Sequence, residues 1–318
     1  MIEKLYQMFI IGTDGGEYKT ALKKGLGGII FFTHDIQSSE QFKKLVQECR
    51  DIAKIPPFLS IDQEGGRVER TENIHNGKKY LSAKFAFEKG LDFLDKQTDE
   101  ISKELRDYGL NLNFAPCIDV NTNPDNPIIG ERAFSDKPDE VILGEKIVSE
   151  RYRQNGIIPC AKHYPGHGDA ASDSHKTLPV IDLPLEEMEN THIKPFKACS
   201  KTADMVMVAH LHCTCFEKDA IPTSLSKNAI SYLRNNLGFE GVVISDDMIM
   251  KGVADFGPVE ACEMGIKAGL NMFIYRDSSA VEIIEKIYER AKTDKELKDK
   301  IEESYEKIIE LKKKYSIM

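Results

Sequence analysis

The sequence predicts a (β/α)8 barrel. Eight short apolar runs recur along the 318 residues. Each run is continuous rather than alternating, as strands of a parallel sheet buried on both faces require. Each is followed by a segment of helical periodicity, and a full set of strand–helix units favours closure. An open doubly wound sheet is the alternative, but that fold carries a glycine-rich phosphate loop after its first strand. Gly12-Thr13-Asp14-Gly15-Gly16 has the wrong spacing for one.

The strand runs fall at 5–11, 28–32, 58–62, 112–115, 157–161, 205–209, 242–245 and 272–275. Helical patterns cover 38–54, 92–108, 138–154, 186–201, 226–236 and 258–268. The first opens on Ser-Ser-Glu and carries Phe42, Leu45, Val46 and Cys49 on one face. Gly109, Gly156, Gly238 and Gly269 follow the last turns, where a left-handed residue closes a helix. The tail places Ile283, Ile284, Ile287, Leu297, Ile301, Tyr305 and Ile308 at three- and four-residue spacings. The expectation is one domain, a barrel to about residue 290 and a C-terminal helix over about 291–318.

Composition excludes several classes of function. There are 43 basic and 52 acidic residues, a net charge of −9, which argues against nucleic-acid or anionic-membrane binding. Apolar content of 41% and charged content of 30% suit a globular chain rather than a disordered one. No apolar run approaches the roughly 20 residues of a membrane-spanning helix. The N-terminus reads as no signal peptide. Most of the seven cysteines sit singly in apolar stretches, as reduced core thiols do. A cytoplasmic location is expected.

A barrel places its functional residues just after the strands, at one rim. After the third run comes Asp62-Gln63-Glu64-Gly65-Gly66-Arg67-Val68-Glu69-Arg70, and after the fourth Pro116, Asp119 and Gly130-Glu131-Arg132-Ala133-Phe134. The fifth is followed by Lys162-His163-Tyr164-Pro165-Gly166-His167-Gly168-Asp169 and Asp173-Ser174-His175. His210 and His212 follow the sixth, Asp246 and Asp247 the seventh, and Arg276 the eighth. Ionisable groups abutting buried strands are costly unless they face a solvated site, so this ring predicts a polar pocket. Each residue also has a plainer reading. Asp62 with Arg67 or Arg70 can be a loop salt bridge, Gly65-Gly66 a tight turn, and one of Asp246 and Asp247 a helix N-cap. His167 and Asp169 can simply organise their loop. His210-Leu211-His212-Cys213-Thr214-Cys215 crowds soft ligands into six residues without a distant partner pair, which argues against zinc.

Taken together, these motifs resemble glycoside hydrolase family 3, and within it the single-domain β-N-acetylglucosaminidases. The matching segments run from Ile61-Asp62-Gln63-Glu64-Gly65-Gly66-Arg67-Val68 to Ile244-Ser245-Asp246-Asp247-Met248. The resemblance implies that Asp246 is the nucleophile of a retaining glycosidase, forming a glycosyl-enzyme ester. It implies an Asp173–His175 acid/base dyad, and that Asp62, Arg70, Arg132, Lys162 and His163 hold the sugar. His210 is expected to face the same pocket. It implies no metal and no organic cofactor. The implied substrate is a terminal β-linked N-acetylglucosaminide, with cell-wall muropeptides and their recycling as the setting.

The chemistry agrees with the residue types. An acid/base gives a proton to the leaving oxygen and later takes one from water. Imidazole does both near neutrality. Gly166 and Gly168 suggest that the loop bearing His175 moves when substrate binds. A neutral imidazole would not repel an anionic acceptor, so phosphorolysis is permitted beside hydrolysis. Two segments depart from the family pattern: Thr33-His34-Asp35 stands where an Arg-Asn pair is common, and His212-Cys213-Thr214-Cys215 is unusual. Both bear on substrate detail. A β-glucosidase-like member of the family, a metal-dependent barrel hydrolase and a non-catalytic sugar binder are the competing readings. The metal enzyme would need histidines after the first strand, where Gly12-Thr13-Asp14 stands.

Overall fold

A computed structural model describes residues 1–75, 78–171, 178–277 and 279–318. Eight parallel strands close a barrel: β1 (Phe9–Ile11), β2 (Gly28–Phe31), β3 (Phe58–Ile61), β4 (Leu112–Asn113), β5 (Ile158–Tyr164), β7 (Met205–Val208), β9 (Val242–Asp247) and β10 (Met272–Tyr275). A two-stranded parallel annex, β6 (Val180–Ile181) with β8 (His212–Cys213), lies at the rim. Register is set by pairs such as Ile10↔Ile274 and Ile30↔Ser60. Every barrel-strand residue is buried except Asp246 and Asp247. That burial on both faces explains the absence of polar alternation in the runs.

The helices of the outer ring follow their sequence signals. Ser38 caps Ser39–Ile52 by accepting from the Gln41 N–H, and Ser226 caps Lys227–Asn235 by accepting from Ala229. Pro138–Gln154 and Pro258–Ala268 begin on proline, whose missing N–H costs nothing at a first turn. Gly109, Gly156, Gly238 and Gly269 all have positive φ, the conformation expected of them.

Three local expectations need correction. Residues 5–11 are not one strand, because Ile2–Gln7 is a helix and only Phe9–Ile11 pairs in the sheet. Leu5 and Tyr6 are buried, while Lys4 is ion-paired with Glu302 on the final helix. An apolar run therefore spans a helix-to-strand junction and hides it. The segment 186–201 is not one helix but two, Leu185–Asn190 and Lys194–Cys199. Pro195 opens the second, and buried His192 turns inward between them. Gly166 accepts that approach, since a β-carbon there would lie 2.6 Å from the His192 β-carbon. The fifth and seventh barrel strands also run further than expected, to Tyr164 and Asp247. Their polar ends mask strand pairing that continues, with Tyr164 opposite Val208 and Asp247 opposite Ile274.

Ala280–Ala291 and Lys295–Lys314 complete the chain. The last helix reaches the N-terminal ends of the strands. There Lys312 is fully buried, donating to Gln7 Oε1 at 2.7 Å and the Pro56 carbonyl at 2.8 Å.

Candidate active site

At the C-terminal ends of the strands lies a cavity of about 370 Å³, lined by Asp62, Arg70, Arg132, Lys162, His163, His167, Asp246, Asp247 and Arg276 among others. Its apolar wall includes Ile30, Phe32, Met207 and Met250. A larger hollow of about 950 Å³ lies on the barrel flank around Phe87, Leu91, Phe134 and Leu143. None of the rim acids and bases singled out above lines it, so the smaller cavity is the candidate site.

Local backbone irregularities aim the central residues. Between Lys162 and Tyr164 the register against β7 shifts by one residue, at His163. Between Ile244 and Asp247 the register against β10 shifts in the same way, across Ser245 and Asp246. An extra residue in a strand redirects its side chain. The loop after β3 is held from within by Gln63, fully buried, whose Oε1 accepts from the Arg70 N–H at 2.8 Å while its own N–H donates to Asn113. Gly65 and Gly66 do form a turn. Both have positive φ, and a β-carbon on Gly65 would lie 2.3 Å from the Leu81 carbonyl. Gly168 presses against the loop after β4, where a β-carbon would meet the Val120 carbonyl at 1.7 Å.

A continuous chain of charge runs along the cavity floor. Lys162 donates to Asp62 at 2.8 Å and lies 2.6 Å from Glu64 Oε1. Arg132 grips Glu64 with two bonds of 2.9 and 2.8 Å, the bidentate pairing that suits guanidinium and carboxylate. Burial disfavours the Glu64 carboxylate, but Arg132 and Lys162 outweigh it and hold its pKa well below the usual range. Burial likewise opposes the charge on Lys162, and Asp62 and Glu64 more than restore it.

Arg132 Nη2 also faces His163 Nε2 at 3.3 Å, while His163 Nδ1 lies 2.7 Å from Asp119 Oδ2. A guanidinium has only donors, so Nε2 accepts and Nδ1 carries the proton toward Asp119. Asp119 is fully buried and also accepts the His167 N–H at 2.6 Å. Burial raises its pKa, but His163 and His167 bring it well below normal.

Cys117, Asp119 and His163 are the one metal-sized cluster among the described residues. Their protonation does not suit a metal. Burial and the Asp119 charge push the Cys117 thiol far up, so it stays protonated and donates to Asp119 Oδ2 at 3.2 Å. A metal on His163 Nδ1 would drive the ring proton onto Nε2, against the Arg132 donor. The segment from His210 to Cys215 gathers no ligand set among the described residues; the His212 ring instead contacts the Glu217 carbonyl at 2.9 Å.

The two acids at the end of β9 are sorted by their surroundings. For Asp246, burial opposes ionisation, but His163 and His210, the Asp247 N–H and Lys162 prevail and lower its pKa. For Asp247, burial dominates and its pKa is raised, although Arg276 lies 2.7 Å away. Asp246 is thus an ionised carboxylate facing the cavity, and Asp247 is occupied with the rim. Neither is a helix N-cap.

Arg70 lines the same cavity. Its Nη2 is 4.0 Å from Asp62, its guanidinium lies 5.8 Å from the Phe32 ring centre, and its Nε has no hydrogen-bond partner among the described residues. His210 is fully buried, with Nδ1 2.7 Å from the Ser224 hydroxyl. It is not among the residues that line the cavity, and it contributes to the lowered pKa of Asp246. Asp173 and His175 lie outside the described residues. In the departing segment after β2, Asp35 accepts from the Phe32 N–H at 2.7 Å and from the Thr13 hydroxyl. His34 stacks on Phe32 at 5.9 Å and lies 3.2 Å from Asp14.

Sequence reasoning assigned no site role to Glu64 and Asp119, the two carboxylates that hold the cavity's cations and imidazoles. Glu64 had a signal, being two residues from Asp62 in one motif. Asp119 had only its position after a strand.

The arrangement sets an ionised carboxylate, fixed cationic donors and oriented imidazoles around one cavity. The chain is 32% identical over 270 residues to β-hexosaminidase A of Pseudoalteromonas piscicida, covering 78% of this chain and 45% of that protein. It is 30% identical over 275 residues to a β-hexosaminidase of Idiomarina loihiensis, covering 83% and 81%. A solved glycoside hydrolase family 3 β-N-acetylglucosaminidase from Paenibacillus superposes with a TM-score of 0.92 at 29% identity, covering all of this chain and 63% of that one. Residues 1–311 match the model of the glycosyl hydrolase family 3 N-terminal domain, and the chain belongs to that family of glycoside hydrolases.

Proposed function

We propose that the protein is a retaining exo-β-N-acetylglucosaminidase. The observation that carries this reading is the ionised Asp246 carboxylate in the cavity beside a neighbouring acid that is not free to replace it. Asp246 attacks the anomeric carbon and forms the glycosyl ester, which water then hydrolyses. Asp62, Arg70, Lys162, His163 and Arg132 orient the sugar hydroxyls. Asp173 and His175 supply the acid/base, a role that rests on their sequence motif. The names of the hexosaminidase relatives support N-acetylglucosamine as the sugar removed. Cell-wall muropeptides are the proposed natural substrates, in peptidoglycan recycling. A cytoplasmic location fits the seven free cysteines, six of them buried. No helix of the described residues is long and apolar enough to cross a membrane.

The test compares chromogenic N-acetyl-β-glucosaminide with the β-glucoside, with and without chelator and phosphate. Preference for the glucoside contradicts the sugar assignment, and chelator sensitivity contradicts metal-free chemistry. Sugar 1-phosphate as product shows phosphorolysis. Asp246→Ala should cut turnover by at least ~10³-fold, the scale of a lost nucleophile. His175→Ala should hurt poor leaving groups most, because activated aryl groups need little protonation.

A further inference from the structure

A second polar hollow, of about 320 Å³, reaches the N-terminal ends of β9 and β10, away from the catalytic rim. Its walls come from the helices Lys227–Asn235, Pro258–Ala268 and Lys295–Lys314. Five cations line it, Lys227, Arg234, Lys267, Lys300 and Lys307, against the single carboxylate of Glu303. This stands out in a chain with an excess of acids. Two of the five are neutralised locally, Lys300 by Glu303 at 2.7 Å and Lys267 by Asp294 at 2.7 Å.

Arg234 and Lys307 have no ion pair among the described residues. Arg234 is held by neutral acceptors only: the carbonyls of Phe239 and Gly241 at 3.0 and 2.7 Å, and Asn271 Oδ1 at 2.7 Å. Lys307 donates to the Glu240 carbonyl at 2.8 Å. Burial lowers the pKa of both, and Arg234 further lowers that of Lys307, more than the fields of Glu240 on both and of Glu310 and Glu303 on Lys307 restore. Two partly desolvated cations thus line one hollow, neither with a carboxylate at ion-pair distance among the described residues. Ser231 and Ser304 line the same hollow, the Ser304 hydroxyl also accepting from Asn271 Nδ2 at 3.2 Å. Fixed positive charge with adjacent hydroxyls is complementary to a tetrahedral dianion, and guanidinium geometry suits phosphate oxygens.

We propose that this hollow binds a phosphate-type oxyanion, free or as the monoester of a small molecule, between Arg234 and Lys307. Such an anion would tie the final helix to the segments entering β9 and β10. The site is separate from the glycosidase chemistry and does not depend on the proposed reaction.

The test is thermal unfolding and ³¹P NMR of the full chain with inorganic phosphate and with glycerol phosphate, against chloride at matched ionic strength. Saturable stabilisation and line broadening by either anion are expected in the millimolar range, the inorganic ion reporting a free-phosphate site and the ester a monoester site. Lys307→Gln should weaken that binding at least tenfold and leave kcat on the chromogenic glycoside unchanged. Lys307→Arg should restore binding, which distinguishes a lost ligand contact from a damaged fold. Absence of a saturable response to both anions overturns the proposal. So does an unchanged affinity in Lys307→Gln, which would put the anion at the catalytic rim instead.

Discussion

Replacing Glu64 by glutamine tests whether the cavity's cations are held by this one carboxylate. The side chain is nearly the same size, so the change removes charge rather than volume. Glu64 is 5% exposed and holds Lys162 and Arg132, which are 2% and 12% exposed. Without its charge, Lys162 keeps Asp62, and Arg132 keeps only the field of Asp119 among the carboxylates acting on it. Breaking one partner of a buried ion pair costs about 3–5 kcal/mol. At ~2.1 cal/mol/K of unfolding entropy per residue, a chain of this length loses roughly 4–8 °C of Tm. Lys162 and Arg132 should also drift, and a misplacement of about 1 Å costs on the order of 10²-fold in kcat/KM. The pH dependence has a definite sign. Because the folded pKa lies below the unfolded one, the contribution is complete above the unfolded value of ~4.3 and is lost as pH falls toward the folded one. Scanning calorimetry from about pH 3 to 8 with parallel kinetics is the assay. A Glu64→Gln protein that melts within about 1 °C of wild type and keeps its kcat/KM would refute the reasoning.

Two further predictions concern other buried groups. Burial pushes the Lys312 amine down to about 7, so the unfolded chain binds that proton more readily and stability rises with pH between about 7 and 10. Between pH 7 and 9 the wild-type Tm should gain roughly 3 °C on Lys312→Met, and parallel pH profiles contradict the account. Asp119→Asn replaces the acceptor that fixes the His163 tautomer with a group that also donates. It should lower kcat/KM by about 10²-fold, and unchanged kinetics would remove Asp119 from the site.

The barrel was legible because its strands are buried on both faces, which leaves apolar runs no other residue pattern explains. Glycines such as Gly156 and Gly269 marked helix ends because a left-handed residue is needed there. The helix Ile2–Gln7 was not legible, since its apolar residues merge without a break into Phe9–Ile11. The extension of β9 through Asp246 and Asp247 was hidden for the opposite reason: polarity ended the run while backbone pairing continued. In the site, Asp62, Arg70, Arg132, Lys162, His163 and Asp246 converge on one cavity from four strand ends far apart in sequence. His210 was placed at the right strand end, but its depth depends on Ser224 and on the packing of Gly252 against it. The hub roles of Glu64 and Asp119 come from tertiary pairing, which residue type and spacing do not encode.

The central claim is that Asp246 forms the covalent intermediate. Mass spectrometry of the protein trapped with a slowly hydrolysed, activated fluoro analogue of the N-acetylglucosaminide tests it directly. The account predicts one added sugar on the intact chain, located by peptide fragmentation on Asp246 and absent from Asp246→Asn. A label on Asp247, or inversion of anomeric configuration without any adduct, would contradict it.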